Sequence, residues 1–140
     1  MTIDQKQQDL IEQFADIDDW MDRYAYIIDM GNALEPLPES LKTPDRLIEG
    51  CQSRVWLDAE QDADGKVTFR ADSDAIIVKG IISMLIDVLS GHTPDEILGA
   101  DLRFIDGIGL SDHLSPTRSN GLVAMLKQMR AYAAAFKARG

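Results

Sequence analysis

The stretch Val55-Trp56-Leu57-Asp58-Ala59-Glu60, followed by Asp64-Gly65 and then Lys66-Val67-Thr68-Phe69-Arg70-Ala71, decides the fold. From Gln52 the sequence has a period of two. Ser53, Val55, Leu57 and Ala59 share one face, and Arg54, Trp56, Asp58 and Glu60 share the other. Such alternation predicts a half-buried strand. Asp64-Gly65 supplies turn chemistry, and Val67, Phe69 and Ala71 alternate with Lys66, Thr68 and Arg70, completing an antiparallel hairpin. A lone hairpin is marginal in water, so a third strand or a helical cover is required; residues 47–48 are the candidate strand.

Downstream, Asp72-Ser73-Asp74 offers three capping residues before 75–90, a segment apolar nearly all round and ended by Gly91. It reads as the central buried helix. Gly80 in its middle costs about 1 kcal/mol of helix propensity relative to alanine, which implies close backbone packing there. Thr93-Pro94-Asp95-Glu96 fits a capping box with proline in the first turn, opening a short helix through Leu98. Ser115-Pro116-Thr117 starts a last helix from about Arg118, with Leu122, Met125, Leu126, Met129, Tyr132 and Phe136 as its inner stripe.

Upstream, Leu10, Ile11 and Phe14 at helical spacing predict a helix over 4–16. A second helix begins near Asp18, carries Trp20, Met21, Tyr24, Ile27 and Ile28, and ends at Gly31 as a C′ glycine. The two are expected to pair as a helical hairpin. Pro36, Pro38 and Pro44 break regular structure, making 34–50 a surface loop. The expected architecture is α+β, with a small antiparallel sheet of about three strands packed against several helices, in one domain over 1–140.

The chain has 140 residues, 24 acidic and 14 basic, for a formal net charge of -10. Five of the bases, Arg118, Lys127, Arg130, Lys137 and Arg139, fall in the last helix and its end, where there is no acid. The remainder is strongly acidic and repels phosphate, so nucleic acid is not an expected partner. The basic helix suits a solvated face, self-association into a homodimer, or docking on an acidic surface. No membrane partner is expected, because the longest apolar stretch carries Lys79 and Asp87 and is shorter than the roughly 20 residues a bilayer needs. With a polar start lacking a secretory apolar region, a cytoplasmic, reducing setting is the expectation.

Cys51 is the single cysteine. One thiol excludes an intrachain disulfide, a CxxC redox pair and a cysteine-based zinc or iron–sulfur site, and no metal or cofactor is expected. A buried small hydrophobe is one reading of Cys51. The other is a presented thiol: Gly50 permits a tight turn before it, and Gln52, Ser53 and Arg54 make its surroundings polar. His113 and Arg118 flank the start of the last helix. They read either as parts of a capped loop or as groups placed near Cys51 to promote thiolate. Asp72 and Asp74 read as helix caps. Equal strands return the chain to its starting end, so they also fall near Cys51.

Three ordered pieces carry a family resemblance: Ile48-Glu49-Gly50-Cys51-Gln52-Ser53-Arg54-Val55-Trp56; Ala71-Asp72-Ser73-Asp74-Ala75 with Ile77-Val78-Lys79-Gly80; and His113-Leu114-Ser115-Pro116-Thr117-Arg118-Ser119-Asn120-Gly121-Leu122. Along nearly its whole length the sequence resembles the SufE and CsdE sulfur-acceptor proteins of iron–sulfur cluster biogenesis, most closely the SufE branch. The resemblance implies an α+β fold shared with IscU-type scaffolds. It also implies sulfur transfer from a SufS-type cysteine desulfurase, which the protein stimulates, to a cluster scaffold. Cys51 matches the acceptor cysteine. Gly50, Gln52, Asp74, His113 and Arg118 are then its environment or the partner interface. No independent enzymatic turnover is expected. The rival reading is a thiol hydrolase or peroxidase using Cys51 with His113, for which no QAC or CGSC-type signature is present. A thiol without a resolving partner holds its persulfide until another protein takes it, so the Cys51 loop is expected to be tucked against a partly enclosed surface.

Overall fold

The structure is a computed structural model and describes residues 1–139. Helix α1 (Ile3–Ala15) opens with a Thr2/Gln5 capping box. Helix α2 (Trp20–Ala33) is capped by Asp19, whose carboxylate accepts from the Met21 amide. Strands β1 (Val55–Gln61) and β2 (Val67–Ser73) follow, then α3 (Ile76–Leu89), α4 (Pro94–Gly99), α5 (Phe104–Gly107) and the long α6 (Pro116–Arg139). The capping box at Thr93 and Glu96 forms as the sequence predicts.

The hairpin is antiparallel, running from Val55 opposite Ser73 to Gln61 opposite Val67. Val55, Leu57, Val67, Phe69 and Ala71 are buried on the inner face. Against them lies α3, with Val78, Ile81, Ile82, Met84, Leu85, Val88 and Leu89 all buried. Each such aliphatic side chain contributes about 2 kcal/mol on leaving water, which makes α3 the centre of the core.

The sheet has two strands where about three were expected. Leu47 pairs with Trp56 through a single bridge, and the Ile48 amide donates to the Val55 carbonyl at 2.8 Å. Gly50 then adopts φ +90°, turning the chain away before a second rung can form. The helical cover does the rest of the stabilising. Side chains and turns occupy the strand margins: the Tyr132 hydroxyl donates to Leu57 O at 3.1 Å. On the other edge, the Phe69 amide donates to Ser90 Oγ at 3.0 Å and the Val67 amide to His92 O at 2.8 Å.

Two helix expectations change. Gly31 lies inside α2, which continues to Ala33 and stops just before Pro36. A Cβ on Gly31 would stand 2.7 Å from the Gly80 amide nitrogen, and one on Gly80 would overlap the Ile27 carbonyl. The two glycines let α2 and α3 cross backbone to backbone, which is the close packing that Gly80 implied. This crossing commits α2 to α3, while α1 packs on α3 and α5, so the first two helices do not pair as a simple hairpin. They meet at Phe14 and Tyr26, whose rings are edge to face with centroids 5.2 Å apart.

The loop over 34–50 is strapped to the outer face of the sheet. Arg46 Nε lies 3.0 Å from the Asp58 carboxylate, which also meets Arg70 across the strand pair at 3.2 Å. The buried Asp72 carboxylate receives Lys42 at 3.3 Å, Lys79 at 3.4 Å and the Leu37 amide at 3.3 Å. The Ser73 amide and the two lysines hold Asp72 below the usual carboxylate range despite its burial, which acts in the opposite direction. Asp72 is therefore a tie between loop, strand and helix, not a helix cap. Among the described residues no helix is long and apolar enough to cross a membrane.

Candidate functional site

Cys51 sits at the tip of a short loop whose two ends are pinned. One pin is the Ile48 amide on Val55 O. The other is Arg54: its amide donates to Asp74 Oδ1 at 3.0 Å, and its carbonyl accepts from Ser73 Oγ at 2.8 Å and from the Asp74 amide at 3.2 Å. Asp74 thus grips the base of the loop, while α3 begins from Ala75 without a side-chain cap. The expected role of Asp74 as a cap is replaced by this grip. Between the pins, Gly50 supplies the left-handed turn and packs where a Cβ would lie 3.3 Å from Ala124 Cβ.

The thiol points at the first turns of α6. Cys51 Sγ donates to the Gly121 carbonyl at 3.6 Å, a weak bond in keeping with sulfur as a donor. Gly121 is buried, and a Cβ on it would stand 3.5 Å from the sulfur. Around the thiol is a cavity of about 460 Å³. Val78 and Ile81 of α3 and Met125 of α6 form its apolar side; Gln52, Ser53, Ser115, Thr117 and Arg118 form its polar side.

Cys51 is half-buried, and burial pushes its thiol above the ordinary range. Burial is the cause of that shift, and it favours the protonated thiol in this closed arrangement. Arg118 shares the cavity with Cys51, and Gln52 stands on its rim as an exposed residue.

His113 is engaged elsewhere. Its ring stacks on Trp20 with centroids 3.7 Å apart and planes 12° apart, its Nδ1 lies 2.9 Å from Gly109 O, and its carbonyl accepts from the Tyr24 hydroxyl. It does not line the cavity. The structure thus brings Gly50, Cys51, Gln52 and Arg118 together, places Asp74 at the loop base and leaves His113 on α2. Sequence reasoning missed Gly121, Val78, Ile81 and Met125 as neighbours of the thiol. A glycine on the inner stripe of an amphipathic helix was the available signal for Gly121. The others looked like ordinary core positions. Among the described residues no group of histidine, cysteine and acidic side chains could hold a metal ion.

Fold and site together define a small α+β thiol protein, with one cysteine on a pinned loop half-enclosed beside a helix start. The chain belongs to the SufE family: the model of the Fe-S metabolism associated domain matches residues 8–133. The fold also resembles the solution structure of a hypothetical protein from Thermus thermophilus. That protein shares 23% identity over 95% of this chain and 96% of its own, with a TM-score of 0.77. Membership places the protein in iron–sulfur metabolism.

Proposed function

We infer that the protein is a sulfur acceptor and carrier: Cys51 takes sulfur from the persulfide of a SufS-type cysteine desulfurase, and the protein stimulates that enzyme and passes the sulfur to a cluster scaffold. The observation that carries this reading is the sole thiol of the chain, on a pinned loop, facing a cavity with room for a further sulfur atom. In the transfer step the Cys51 thiolate attacks the outer sulfur of the desulfurase persulfide. The sulfur–sulfur bond to the desulfurase cysteine breaks, that cysteine leaves as thiolate with the electron pair, and a new sulfur–sulfur bond forms at Cys51. Oxidation states are exchanged between the two cysteines and no outside oxidant is consumed.

The raised thiol gives this chemistry a gate. In the closed loop Cys51 stays protonated and shielded; docking draws the loop out between its pins, rehydrates the thiol and frees the thiolate. Without a second cysteine the carrier cannot release its own sulfur, so no turnover is expected of the isolated protein. Mass spectrometry of the protein mixed with a cysteine desulfurase and cysteine tests the reading. A sulfur-mass adduct on Cys51, absent from Cys51→Ser, is the expected result; no adduct while the desulfurase itself is persulfidated sinks it.

A further inference from the structure

We propose that His113 is a positioning residue for sulfur transfer, fastening to α2 the loop that forms the Ser115–Arg118 wall of the Cys51 cavity. This rests on the sulfur-acceptor reading of Cys51. Residues 115, 117 and 118 line the cavity yet are themselves exposed, so burial does not hold them in place. The segment leading into them is sewn to the first turns of α2 instead. Arg23 donates through its guanidinium to Ile108 O at 2.9 Å. Gly109 lies where a Cβ would be 3.3 Å from Trp20 Cζ2. His113 lies flat on Trp20 and gives its carbonyl to the Tyr24 hydroxyl. His113 is the last of these fasteners before the wall, two residues from Ser115.

The ring of His113 makes two contacts. Its face covers the indole and holds the loop down, while Nδ1–H closes a turn onto Gly109 O at 2.9 Å, a solvent-exposed bond that adds little to the fastening. After the turn, Ser115 Oγ accepts from the Arg118 amide at 3.2 Å, which transmits the loop's position to the start of α6. The wall opposite the thiol therefore takes its place from an aromatic stack on the far side of the loop. Loss of the stack lets Ser115, Thr117 and Arg118 move away from Cys51 without disturbing the α2–α3 crossing.

The test compares His113→Ala, His113→Gln, which keeps a side-chain donor without the ring, and His113→Phe, which keeps the ring face without the donor. Alkylation of Cys51 by iodoacetamide in the isolated protein reads the wall directly. A stack of this kind governs an opening equilibrium by a factor of several to about tenfold, so His113→Ala and His113→Gln are expected to alkylate faster by that factor, with the melting temperature lower by no more than a few degrees. His113→Phe is expected to stay within about twofold of wild type. In Trp20→Leu the further change His113→Ala should add nothing, because the two rings act as one unit. Wild-type alkylation in folded His113→Gln, or full additivity with Trp20→Leu, overturns the proposal. The readout needs no desulfurase. Faster alkylation in a protein that never gains a sulfur adduct therefore supports the fastener and overturns only the acceptor reading.

Discussion

Two glycine contacts in this molecule do opposite work. At the α2–α3 crossing, Gly31 and Gly80 bring two helical backbones into contact deep in the core, with no space for even a methyl group. At the Cys51 loop, Gly50 turns at φ +90° on the exposed side and Gly121 leaves a gap beside the sulfur. The first pair removes freedom by close packing. The second leaves the tip lightly held: between its pins it is fastened by a weak thiol bond and the half-buried packing of Cys51, and Gly50 carries no side chain toward Ala124. The residue type is the same, but what surrounds it decides whether glycine makes the chain rigid or lets it move.

The sharpest way to break the contrast is Gly80→Ala. The new methyl meets Ile27 backbone, which cannot rotate away, so a loss of about 3 kcal/mol in a denaturant titration is expected. A loss below about 1 kcal/mol would mean the crossing is not locked.

Gly50→Ala addresses the other region and should cost only about 1 kcal/mol for the left-handed backbone, because the contact with Ala124 can relax. Its larger effect is on the thiol: Cys51 should react faster with iodoacetamide than in wild type, with the melting temperature little changed. An unfolding loss as large as that of Gly80→Ala would erase the distinction between the two regions.

The smallest effect is in pH. Burial raises the Cys51 pKa, so the folded protein holds this proton more tightly than the unfolded chain. The associated stability is fully present below the unfolded thiol's value and is lost as pH rises through the folded value. Subtracting the stability of Cys51→Ser from that of wild type across the alkaline range should give a falling curve. A rising one would mean that thiolate, not thiol, is favoured in the closed loop.

Local chemistry made much of the fold legible. The period-two run from Val55, the Asp64-Gly65 turn, the apolar 75–90 helix and the Thr93 capping box each depend on near neighbours. The candidate thiol was also legible, because a lone cysteine between Gly50 and Gln52 stands out. What could not be read were the places where distant segments compete for one residue. Gly31 looks like a helix end until Gly80 comes to meet it. Asp74 looks like a cap until the Arg54 amide reaches its carboxylate first. His113 looks like a partner for the thiol until Trp20, far away in sequence, takes its ring. Residues 47–48 could have made a strand, but the turn at Gly50 cuts the pairing to one bridge.

The hairpin's margins have a consequence for recognition. Leu57 O is taken by Tyr132, Val55 O by Ile48, and the Val67 and Phe69 amides by the turn after α3. A visiting protein that tried to add a strand of its own would find these rungs occupied and would have to displace them one by one. Partners are thereby directed to loops and helix faces, where contacts form and dissolve without unzipping the sheet.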